Sequence, residues 1–322
     1  MYSPDALTLF YNALSVSLPT FGWVVAGLLL RRLGLLTEPL INRVSQLAFS
    51  FGLPLMLFAS AVRVDYSTIG SALYLWAGVL ATFLTVGLAW IYSHWRGHAR
   101  ALQGIFVQGA YRSNLAIIGI ALAVAAYGEE GLVLAAMPVA LLTVLYNVLA
   151  VWMLNATLGA GTSGTALLLG IARNPLIIGI SAGILWALGG VPVPGFIAPM
   201  GAGISTFFLP LMLLCIGGAM QLSNLRKTGL IAWEATAWRL CVAPLLAVLL
   251  ALALGVRDQP LGILFLLLSS PVAAASFVMV VAARGDGVLA ANIVVLSTLL
   301  SIFTVTAGFF LLTLFSLAGQ PG

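Results

Sequence analysis

The chain has 322 residues, of which 62% are hydrophobic and only 7% charged. Soluble globular domains carry about 25% charged residues, so a soluble protein is excluded and an all-α integral membrane protein in the lipid bilayer is expected. The formal net charge of +5 is spread over short connections; no nucleic-acid partner is expected.

A helix needs about 20 apolar residues to cross the hydrocarbon core. The opening MYSPD lacks the basic region of a secretory signal, so the first apolar run is expected to stay as a membrane helix. In chain order the predicted spans are 7–30, 39–62, 68–93, 100–127 and 131–155, then 168–189, 195–221, 229–254, 259–283 and 287–316. The connections are short and hold Gly, Pro and most of the charges, as in RRLGLLTEP, HWRGHAR, GEEG and RGDG. With the N-terminus outside, Arg31, Arg32, Arg43, Arg96, Arg100, Arg226, Lys227 and Arg284 lie at cytoplasmic ends, with Arg173 nearby. Arg63, Arg257 and the acidic pair Glu129–Glu130 fall on the other side. The positive-inside rule therefore places both termini outside the cytoplasm, in a multi-pass protein of the cell (inner) membrane.

The pentapeptide LPLML occurs at Leu53–Leu57 and again at Leu209–Leu213, 156 positions later. Pro19 and Pro175, Gly27 and Gly183, and Gly34 and Gly190 keep the same offset. The stretch YGEEG at Tyr127–Gly131 resembles RGDG at Arg284–Gly287, shifted by one. An internal duplication follows, with a first repeat over 1–157 and a second over 158–322. Five helices is an odd number, so the second copy enters the membrane from the opposite side. Inverted repeats of this kind build many secondary transporters, with substrate bound near the midplane where discontinuous helices meet.

Interruptions are expected in the fourth and ninth helices. The fourth contains GAYRSNLAIIG, Gly109–Gly119. An Arg at the centre of a membrane helix costs roughly 2.5–3.5 kcal/mol on insertion scales, and Ser and Asn compete for backbone hydrogen bonds. Asn114 is expected to cap a half-helix starting at Leu115. The ninth contains LSSPVAAASF, Leu268–Phe277. Pro271 removes a backbone donor, Ser269 and Ser270 can satisfy freed groups, and Ala273–Ala275 lets another backbone approach. Gly104 and Gly262 align the two helices and place Ser113 opposite Pro271. Two half-helix N-termini and Arg112 at one depth attract an anion; a small carboxylate is the expected substrate. Arg112, Ser113, Asn114, Ser269, Ser270 and Pro271 are the candidate binding residues, with Gln108 one helical turn from Arg112. Alternatively, Arg112 pairs with an acid such as Glu234, and Pro271 only kinks its helix.

Glu234 and Arg239 are five residues apart and do not face each other on a regular helix; each needs another partner. Glu234 is a candidate ion-coupling carboxylate, with a structural ion pair as the other option. Asn174–Pro175 fits a helix start, and Thr162–Ala172 a short interfacial helix. Asn147 suits helix-to-helix hydrogen bonding. His94 and His98 have the i, i+4 spacing of metal ligands, but Gly97 and the interfacial position argue against a metal. Cys215 and Cys241 fall in apolar runs and read as free core thiols. No Walker or dinucleotide-binding motif occurs, and neither a cofactor nor an enzymatic activity is expected.

The RSN segment, RNPLIIG at the sixth span and the closing run SSPVAAASFVMVVAARGDGVLAANIVVLSTLLS resemble the auxin efflux carrier family of permeases, the bacterial relatives of the plant PIN carriers. The resemblance covers essentially the whole chain. It implies ten helices as two inverted five-helix repeats, with a scaffold of helices 1, 2, 6 and 7 and a mobile transport domain of helices 3–5 and 8–10. Helices 4 and 9 would cross as broken helices, with Asn114 and Pro271 lining the substrate site. A homodimer is also implied. Helix 4 departs from the pattern, with no proline at its break. A secondary transporter of small organic anions leads the functional readings. A sodium-coupled carrier like the bile-acid symporters and a membrane sensor without net flux stand beside it, and coupling to H⁺ or Na⁺ is left open.

Overall fold

Inside a bilayer every backbone N–H and C=O must find a partner within its own segment, which turns apolar runs into helices. A computed structural model describes residues 6–62, 73–159, 165, 169, 172–220 and 229–319. Among these residues the fold is all helical, with one isolated antiparallel bridge, Ser113 with Val272. Arg63, Arg226 and Lys227 lie outside the described residues, as does most of the interfacial stretch 162–172.

The helices, in chain order, are α1 (Ala6–Arg32), α2 (Glu38–Ala61), α3 (Leu73–Trp95), α4 (Arg100–Tyr111) and α5 (Leu115–Leu158). They continue with α6 (Pro175–Leu188), α7 (Ile197–Ala219), α8 (Leu230–Ala253), α9 (Asp258–Ser269), α10 (Ala275–Ala282) and α11 (Gly287–Leu314). Seven of the described helices are long and apolar enough to cross a membrane. Ten spans were expected, and the difference arises in three places. The helical path is interrupted at residues 112–114 and 270–274, and α5 turns sharply at Gly128, with φ of 58° and ψ of −140°, without an intervening loop. Glu129 and Glu130, expected in a connection, therefore sit directly after this turn on α5. The third place is α6, whose described residues number 14, about 21 Å at 1.5 Å per residue, below the length of a full span.

The π turns Ala48–Gly52 in α2 and Trp238–Val242 in α8 each end two residues before a proline, Pro54 or Pro244. A proline cannot donate to the preceding turn and crowds it; the wider turn relieves this. Glycines set the closest helix contacts. A Cβ at Gly27 of α1 would collide with the backbone of Leu214 in α7, and one at Gly183 of α6 would meet the carbonyl of Phe58 in α2 at 2.8 Å. The two contacts match residue for residue at the 156-position offset. Leu53, Met56 and Leu57 of the first LPLML are buried, as are their counterparts Leu209, Met212 and Leu213. Gly34 and Gly190 both adopt positive φ, 74° and 65°, and so do Gly128 and Arg284, 58° and 59°; each pair again keeps the offset of 156 positions. Pro19 and Pro175 differ in role: Pro19 lies inside α1, whereas Pro175 opens α6.

At one end of the bundle the tip of α3 meets the start of α8, where the Arg96 guanidinium donates to Glu234 Oε1 from Nη2 at 2.6 Å and Nε at 2.9 Å. At the opposite end Gln259 donates to Glu130 at 3.3 Å. Cys215 is buried, but Cys241 is exposed on the apolar surface, not in the core as expected: it lies in the π turn of α8, which presents Arg239 inward.

Candidate functional site

The site grows out of two places where the helical path stops. At α9 the cause is local. Pro271 disfavours the helical region for the residue before it, and Ser270 accordingly takes ψ 149°. Its hydroxyl donates back to the Leu267 carbonyl at 2.8 Å, and Ser269 donates to Leu266 at 3.5 Å. At α4 no proline forces the issue; Arg112 and Asn114 leave the helix with ψ of 88° and 70°. The two segments satisfy each other. Asn114 N–H donates to the Pro271 carbonyl at 2.7 Å, and Ala273 N–H donates to the Arg112 carbonyl at 3.1 Å. Val272 N–H donates to Ser297 Oγ of α11 at 3.1 Å. Unwound backbone at this depth is tolerable where such bonds supply partners.

A cavity of about 270 Å³ opens beside this pairing. Its floor is Arg112, Ser113 and Asn114, together with the small residues Ala273–Ala275. Its walls include Thr143, Tyr146 and Asn147 of α5 and Asn174 and Leu176 of α6. The first residues of α5 and α10 therefore both border the cavity, and helix N-termini offer unpaired N–H groups and partial positive charge. Arg112 is 7% exposed. Its Nη1 donates to the Tyr146 carbonyl at 3.1 Å and its Nη2 to Asn147 Oδ1 at 2.8 Å, while Nε has no hydrogen-bond partner. Among the described residues no carboxylate comes within ion-pair distance of it.

Of the candidate residues, Arg112, Ser113 and Asn114 border the cavity. The Ser113 hydroxyl lies 3.1 Å from the Tyr146 hydroxyl. Asn114 does not cap α5 with its side chain; the helix begins with a π turn in which Gly119 N–H donates to the Asn114 carbonyl at 2.9 Å. Ser269, Ser270 and Pro271 are buried and do not line the cavity. Gln108 is likewise buried away from it, its Nε2 3.9 Å from Met279 Sδ and its Oε1 without a partner. Glu234 stands apart, held by Arg96 and, at 2.9 Å, by His98 Nε2. It does not pair with Arg112. Its hydrogen bond and its charge raise the Arg96 pKa above the ordinary guanidinium value. His98 is thus engaged with a carboxylate, and His94 Nδ1 lies 3.0 Å from the Trp90 carbonyl. Asn174 Oδ1 accepts from Leu176 N–H at 2.9 Å and caps α6.

Tyr146 and Thr143 were not foreseen. With Asn147 they occupy positions i, i+3 and i+4 of an otherwise apolar run, LLTVLYNVLA, which is one face of a helix. That spacing was the available signal.

A family model described as membrane transport protein matches residues 14–308. An uncharacterized transporter from Methanothermobacter thermautotrophicus is 22% identical over 295 residues, covering 91% of this chain and 96% of that protein.

Proposed function

Because the chain belongs to the membrane transport protein family, the auxin efflux carrier-like permeases, and is a multi-pass membrane transporter, we propose that it is a secondary transporter of small organic anions. The observation that carries this is Arg112: a buried guanidinium, without a carboxylate partner among the described residues, on a cavity bordered by two helix N-termini. A cation in such surroundings is expensive to keep unpaired, and an organic carboxylate entering the cavity would supply the counter-charge. Asn114 and Ser113 would orient it with polar contacts.

Transport would proceed by alternating access between two inverted repeats, 1–157 and 158–322. In this reading the ten spans are α1, α2, α3, α4 with the first arm of α5, the second arm of α5, α6, α7, α8, α9 with α10, and α11. The matched contacts Gly27–Leu214 and Gly183–Phe58 support the pairing of copies, as do the left-handed pairs Gly34 with Gly190 and Gly128 with Arg284. The scaffold would comprise α1, α2, α6 and α7. The cavity has walls from both parts, Asn174 and Leu176 on α6 and the crossing segments opposite. Sliding of one part against the other would open it to each side in turn.

Equilibrium binding of labelled small carboxylates to the purified protein tests the site. Replacing Arg112 by Gln is expected to weaken binding at least about tenfold, the equivalent of one lost charge-assisted contact. Unchanged affinity in that variant would sink the assignment.

A further inference from the structure

Next to the crossing segments lies a second and much smaller space. It is a void of about 10 Å³, about the size of one water, lined by Thr82, Tyr111, Tyr146, Arg239 and Leu268 among others. Tyr111 ends α4 and Leu268 stands in the last turn of α9. The carbonyl ends of two half-helices thus border this void, whereas the N-terminal ends of α5 and α10 border the cavity. Tyr146 is the partition between them, since it lines both. Helix C-termini carry partial negative charge and attract cations. In transporters with broken helices, such ends and their unwound carbonyls are where coupling ions are held.

Here a side chain stands in that place. Arg239, presented inward by the π turn of α8, is 1% exposed. Its Nη1 donates to the carbonyl of Tyr111, the terminal residue of α4. Its Nε and Nη2 have no hydrogen-bond partner, and no carboxylate among the described residues reaches it. An aliphatic side chain would fill such a space without the desolvation cost of a charge. The guanidinium is offset instead by the negative end of α4, through the Tyr111 carbonyl, with the end of α9 bordering the same void.

We propose that the Arg239 guanidinium is a built-in cation occupying the position of a coupling ion, so that the carrier works without Na⁺. The proposal rests on the crossing segments being an anion site. A fixed positive charge next to that site stays with it through the whole cycle, and no cation has to be drawn from solution to balance the bound anion.

Thermal unfolding of the purified full-length protein, in sodium chloride against choline chloride and with dilute guanidinium chloride, tests this without any organic acid. The native protein is expected to melt at the same temperature in Na⁺ and choline. Arg239→Ala is expected to lose about 5 °C or more and to regain at least half of that loss when Na⁺ or guanidinium enters the vacated space. Arg239→Lys, which keeps the charge, is expected to stay near the native value and to ignore added cations. Stabilisation of the native protein by Na⁺ over choline would overturn the proposal. So would an Ala variant that is no less stable, or one destabilised but indifferent to every cation, since Arg239 would then be a packing residue. Should the Ala variant not survive extraction, Arg239→Gln and Arg239→Lys decide: a Gln variant as stable as the Lys variant contradicts a role for the charge. Because no arm uses a carboxylate, failure of the anion reading and failure of this proposal are separate outcomes.

Discussion

Asn114 carries two jobs that sequence alone runs together. Its backbone is committed to the crossing, with N–H to Pro271 and C=O to Gly119, while its side chain makes no capping bond and borders the cavity. Asn114→Ala is therefore expected to leave the melting temperature within a degree or two of native and to reduce carboxylate binding at least about tenfold; parallel unfolding and binding measurements check both halves. Arg112 is a fork between the Tyr146 carbonyl and Asn147. A lysine is a single point and cannot hold both. Arg112→Lys is expected to keep anion binding weakly and to lose affinity by a factor between those of the native protein and Arg112→Gln, measurable by titration with the same labelled acid. Arg112, Ser113 and Asn114 are legible in the sequence because three polar residues in an apolar run are costly and conspicuous. Tyr146 and Thr143 are much less so, because each alone is ordinary in a membrane helix and only the face they share with Asn147 marks them. Ser269 and Ser270 look like ligands on the page, but their hydroxyls are used up on the carbonyls of their own helix.

At the scale of the elements, local chemistry explains one helix end and tertiary structure explains the other. Pro271 stops α9 by itself. Nothing in Arg112–Asn114 forbids a helix, so the end of α4 is held by hydrogen bonds that come from the facing segment, and no reading of one segment alone reveals them. The glycines behave similarly. Their spacing is visible in the chain, but the backbones they let in, Leu214 at Gly27 and Phe58 at Gly183, are not. A methyl group at either position overfills a tight crossing, which costs typically 1–3 kcal/mol. Gly27→Ala and Gly183→Ala are expected to destabilise the protein by similar amounts, read as comparable shifts in melting temperature. A large loss in one and none in the other would mean that the two contacts are not equivalent. The number of spans was harder to read. A single left-handed glycine, Gly128, reverses the chain without leaving a recognisable loop.

For the whole molecule, the all-helical, apolar character follows from composition alone, and the membrane transport family agrees with it. In the proposed reading, charge placement selects the substrate. Arg112 lines the cavity and Arg239 the small void, each without a carboxylate partner among the described residues, while Glu234 is spent on Arg96 and His98 at the end of the bundle. Glu234→Gln is accordingly expected to lower the melting temperature and to leave the response of transport to a pH gradient unchanged. A vanished pH response would make Glu234 the coupling group. The most direct test of the central claim is uptake of labelled small carboxylates into proteoliposomes, with the native protein beside Asn114→Ala, and with and without Na⁺ and pH gradients. The expected result is saturable uptake by the native protein, indifferent to Na⁺ and lost in the variant. Folded native protein that moves no acid, or a variant that moves it as well, would contradict an anion carrier with its site at the crossing.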